Sequence, residues 1–82
     1  MYTVNAKTYN YPLTEFSMRV ENGEHAVEIG DILMDGFHSV DIVNGETGET
    51  ISSTYRSDTY FDVTTTPETA IQYAMLYYKN NC

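Results

Sequence analysis

Between Glu21 and Glu49 the chain places eight acidic residues and no Lys or Arg. They are Glu21, Glu24, Glu28, Asp31, Asp35, Asp41, Glu46 and Glu49. With no counter-charge within the segment, these carboxylates are expected at the surface, and the segment must fold so as to leave them there. The rest of the 82 residues carries four acids (Glu15, Asp58, Asp62, Glu68) and four bases (Lys7, Arg19, Arg56, Lys79), so the net charge of −8 arises in about a third of the chain. Such a one-sided field repels nucleic acid and membranes and attracts basic protein surfaces.

The pattern inside this segment selects a helix. At about 100° per residue, Ala26, Ile29, Leu33 and Phe37 line up on one side. Glu21, Glu24, Glu28, Asp31 and Asp35 then fall within about 80° of arc on the other. Read as a strand, Val27 and Ile29 would alternate with Glu28, but Asp31 and the run Ile32-Leu33-Met34 break the period. Asn22 is a candidate N-cap and Gly36 a candidate C′ residue. Gly30 costs about 1 kcal/mol inside a helix, which the two-sided pattern outweighs. The spacing predicts a helix over 23–35.

A second helix is predicted over 67–79. Thr66 offers an N-cap, Pro67 suits the first helical position and Glu68 the first turn. Ala70, Ile71, Ala74, Met75 and Tyr78 recur at helical spacing as the expected core face. Lys79 falls in the last turn, where a cation favours the helix dipole. Tyr73, Leu76 and Tyr77 lie off that face, as second-layer packing or as an exposed apolar patch.

Strands are expected around these helices. Phe16, Met18 and Val20 alternate with Glu15, Ser17 and Arg19 over 15–20. A strand over 37–43 holds Val40 and Ile42. The turn at 44–49, with Gly45 and Gly48, then leads into Thr50–Tyr55 as a hairpin with a long loop. Residues 58–63 suggest a short edge strand, Tyr2, Val4 and Ala6 suggest another, and Pro12 marks a bend before the strand at 15–20. The order predicts a single α+β domain over 1–82. It would be a two-layer sandwich with a small antiparallel or mixed sheet and both helices on one face, ferredoxin-like or related. The alternative, a small β-barrel with a C-terminal helix, requires 25–34 to be a strand.

Composition narrows the function classes. A chain this short buries roughly 60–65% of its unfolded surface, enough for one small core and no deep cleft. Eight Tyr, three Phe and no Trp suit a thin core, because Tyr packs its ring while its hydroxyl stays wet. The single cysteine, Cys82, cannot form a disulfide within the chain. The N-terminus lacks the charged and apolar regions of a signal peptide, and no apolar run approaches a bilayer-spanning length. A soluble, cytoplasmic protein is expected. His25 and His38 are read as solvated surface residues, since neither has the further ligands a metal site needs. No calcium-loop spacing, nucleophile motif or phosphate-cradling glycine pattern is present, so no metal, no cofactor and no enzymatic activity are expected.

The helical stripe is the feature with a mechanism. Five carboxylates over about 21 Å give one charge per roughly 5 Å, against 3.4 Å along one strand of duplex DNA. In size, charge and lack of catalytic motifs the chain is similar to phage-encoded anti-restriction and anti-CRISPR proteins, a likeness of composition that transfers no residue. The expected function is a non-enzymatic acidic inhibitor that occupies the nucleic-acid-binding surface of a basic partner protein. Glu21, Glu24, Glu28, Asp31 and Asp35 would stand in for phosphates, with Asp41, Glu46 and Glu49 in support. Neither nucleic acid nor membrane would be bound directly. Two alternatives are an antitoxin-like neutraliser of a basic toxin and a structural or homo-oligomeric module built through the sheet edge or a Tyr73/Tyr77 patch.

Overall fold

Alternation of side chains organises the sheet. The computed structural model describes residues 1–9, 13–55 and 65–81. Strands β1 (Tyr2–Lys7), β2 (Glu15–Val20), β3 (Ser39–Asn44) and β4 (Thr50–Tyr55) form one sheet in the order β2-β1-β3-β4, every neighbouring pair antiparallel. Helix α1 (Gly23–Met34) joins β2 to β3, and α2 (Pro67–Asn81) follows β4. One sheet face carries Val4, Ala6, Val20, Val40 and Ile42, all buried, with Tyr2, Phe16 and Met18 packed beside them. The other carries Thr3, Asn5, Lys7, Glu15, Ser17, Arg19 and Asp41, which the two-residue period directs away from the core.

Both helices lie on the core side. Ala26, Ile29 and Leu33 of α1 close over β1 and β3, and α2 packs against α1 through Ala70 and Ala74. The fold is the α+β two-layer sandwich that the sequence predicts, with an open antiparallel sheet, and the barrel alternative fails because 25–34 is helical. The N-terminal segment suggested by Tyr2, Val4 and Ala6 is a central strand paired on both sides. The suggested strand at 58–63, the bend at Pro12 and Cys82 lie outside the described residues.

Local chemistry fixes each boundary. Asn22 is extended and its Oδ1 accepts from the Glu24 and His25 backbone N–H groups at 2.8 and 3.2 Å, capping α1. At α2 the Thr66 hydroxyl accepts from the Thr69 N–H at 3.2 Å. In the β3–β4 turn the Asn44 side chain accepts from the Glu46 N–H at 2.9 Å, and Gly48 adopts φ +75°, where a Cβ is strained. Ile51 is the extra residue of a bulge, since Ile42 pairs with Ser52 and Val43 with Thr50.

Two glycines serve packing. Gly36 follows α1 as predicted but has no positive φ. Its role is close approach: a Cβ there would lie 2.6 Å from the Thr66 carbonyl oxygen and 2.7 Å from the Ala70 Cβ. Gly30 is buried within α1, yet a Cβ would meet Val40 and Ile42 side chains at 3.4 and 3.5 Å, ordinary contact distances. Gly30→Ala is therefore expected to stabilise the domain by up to about 1 kcal/mol through helix propensity. A lowered urea midpoint would show that β3 cannot accept the added methyl.

Neither histidine is the solvated surface residue expected. His38 is 6% exposed. Its backbone N–H donates to the Lys7 carbonyl at 2.9 Å, its Nδ1 accepts from the Tyr9 N–H at 3.3 Å, and its ring stacks on Tyr9 at 5.6 Å. His25 sits between the helices, edge-on to Tyr77 with centroids 5.9 Å apart.

Candidate partner-binding surface

Helix α1 sorts its residues by chemistry. Its buried line is Ala26, Ile29, Gly30 and Leu33. At 3.6 residues per turn, the direction opposite that line belongs to Glu24, Glu28, Asp31 and Asp35, and all four are exposed. Glu21, just ahead of the cap, is exposed as well. From Glu24 to Asp35 the row runs about 16 Å at 1.5 Å per residue. The flanks differ. His25 faces α2 through Tyr77, whereas Val27, Asp31 and Met34 border a narrow groove against Ser52 and Thr54 of β4.

The row works against the helix that carries it. Glu24/Glu28 and Asp31/Asp35 are i,i+4 like-charge pairs and Glu28/Asp31 an i,i+3 pair, each unfavourable by a few tenths of a kcal/mol. Asp35 is the C-cap and no basic residue lies in the last turn. A carboxylate at that end faces the negative pole of the helix dipole. Glu24 alone lies in the first turn, where the dipole favours an acid.

The remaining acids do not extend this row uniformly. Asp41 is half-buried on the opposite face of the sheet, where its Oδ1 accepts from the Ser53 hydroxyl at 2.7 Å. It lines a shallow depression of about 410 Å³ with Asn5, Lys7, Glu15 and Ser17, and Ser17 donates to Asn5 Oδ1 at 2.9 Å beside it. Glu46 and Glu49 are exposed in the β3–β4 turn. That turn is tied to the chain start by the Gly45 N–H donating to the Met1 carbonyl at 2.8 Å. The structure thus brings five of the eight acids together on and beside α1, sets two at the hairpin tip and places one behind the sheet.

The outward face of α2 is the surface that sequence reasoning misread. Of the expected core face, Ala70 and Ala74 are buried and Ile71 packs against the core, but Met75 and Tyr78 are exposed, and Tyr77, set off that face, packs against the core instead. Ile71, Met75, Leu76 and Tyr78 line one surface together with Gln72 and Lys79. Among the described residues, no three His, Cys, Asp or Glu side chains gather into a group that could hold a metal ion. No described helix is long and apolar enough to cross a membrane. Compared with protein-family models, curated proteins and solved structures, the chain matches none.

Proposed function

We propose that this protein is a non-enzymatic acidic inhibitor whose α1 row docks on the nucleic-acid-binding surface of a basic partner protein. The observation that carries the reading is the exposed line of Glu24, Glu28, Asp31 and Asp35, set opposite the core with Glu21 at its head. A surface built to grip phosphates with Lys and Arg offers point charges and guanidinium forks that suit carboxylates equally. Binding would relieve the repulsion within the row. Glu46 and Glu49 add negative potential at one end of the molecule, and Asp41, behind the sheet, acts only at long range.

The test uses Glu24→Gln, Glu28→Gln and Asp31→Asn together. Removing the like charges is expected to raise folding stability by a few tenths of a kcal/mol per pair, offset in part by the lost dipole interaction of Glu24. The same change is expected to weaken the partner complex tenfold or more, and salt should weaken the wild-type complex steeply. Bait of each form would be exposed to nuclease-treated host lysate, and bound proteins released with excess duplex DNA. Nucleic-acid-binding proteins held by the wild type, displaced by DNA and lost with the variant agree with the proposal. Equal retention by the stabilised variant overturns it.

A further inference from the structure

We propose that the outward face of α2 pairs with the same face of a second copy of this chain, in an antiparallel two-fold dimer independent of the acidic row. The core line of α2 runs through Ala70, Ala74 and Tyr77, with Ile71 half-buried at its border. Opposite it, at helical spacing, lie Glu68, Gln72, Met75 and Lys79, with Ile71 and Leu76 to either side. Met75 is 46% exposed and Leu76 54%.

The charges on this face name the occupant. A chain of net charge −8 repels its own copies, so self-association needs a face without net charge. This face has one acid in the first turn, Glu68, and one base in the last, Lys79. They lie symmetrically about the 73–74 peptide, about 8 Å to either side along the axis at 1.5 Å per residue. A two-fold axis there sets Glu68 of each copy beside Lys79 of the other, as an isologous contact requires. The same axis puts Ile71 of one copy against Met75 and Tyr78 of the other, and Gln72 against Leu76. Antiparallel pairing also opposes the two helix dipoles favourably. One helix face is small for an interface, so the dimer is expected at the weak end, with Kd in the micromolar to millimolar range.

Sedimentation equilibrium of the whole chain, titrated to about 1 mM, reads this directly. The wild type is expected to dimerise, Met75→Glu to remain monomeric, and Glu68→Lys to weaken the dimer about tenfold, since the symmetry breaks two pairs at once. The swap Glu68→Lys with Lys79→Glu should restore the wild-type Kd to within about threefold, because it preserves complementarity. Circular dichroism confirms that each variant folds. A wild type that stays monomeric throughout, a dimer indifferent to Met75→Glu, or a swap no better than Glu68→Lys alone overturns the proposal. None of these outcomes touches the α1 charges, so the inhibitor reading stands or falls separately.

Discussion

Phe37→Ala is expected to destabilise the domain by about 3–5 kcal/mol, the typical loss for a buried phenylalanine. Phe37 is the largest of the fully buried side chains among the described residues and is 0% exposed. It stands in the connection from α1 to β3, where its N–H donates to the Leu33 carbonyl at 3.0 Å. From there it fills the core shared by the sheet and both helices. A chain of this length is expected to hold roughly 4–12 kcal/mol in all, at 0.05–0.15 kcal/mol per residue. The substitution would therefore remove about a quarter of it or more, and the urea midpoint should fall by at least that share. Phe37→Leu, which keeps most of the volume, should cost under about 1.5 kcal/mol. Similar losses for the two variants would show that the site does not depend on filling.

Gly36→Ala is expected to cost about 2–3 kcal/mol, a large effect for one methyl. The added carbon would meet the Thr66 carbonyl oxygen and the Ala70 Cβ, both well inside contact distance. The first is backbone, so the start of α2 must move. Adding Ala70→Gly removes one of the two obstacles while costing about 1 kcal/mol of helix propensity by itself. The double variant should therefore lose less than the sum of the two single losses. Strict additivity in urea midpoints would mean that the helices do not meet at Gly36.

These two sites explain what the sequence could and could not convey. Helix α1 was legible because large apolar residues and carboxylates occupy opposite sides of one wheel, and Asn22 supplied a cap that the structure uses. Strand β2 and the β3–β4 hairpin were legible from period and turn residues. The face of α2 was legible only in part: Ala70, Ile71 and Ala74 reach the core as expected, and Met75 and Tyr78 do not. Its approach to α1 is so close at Gly36 that small residues make the contact, and Ala70 and Ala74 carry little hydrophobic signal. Met75 and Tyr78 dominated the pattern and drew the expected face around the helix, away from Tyr77. His38 was misjudged because its partner, Tyr9, is 29 residues away in sequence. For the candidate surface, the α1 row was readable in full. The position of Asp41 was readable too: it lies between Val40 and Ile42, and strand alternation turns it away from whatever those two residues pack against.

That alternation also places Lys7, Arg19, Glu15 and Asp41 together behind the sheet, two charges of each sign. Among the described residues the rear is thus close to electrically neutral, while the helical front carries an unbalanced row. A body so polarised feels a torque as well as a pull in the potential of a cationic groove. It would arrive helix-first before any atom touches, so that ionic strength governs how often encounters are productive more than how long the finished complex lasts.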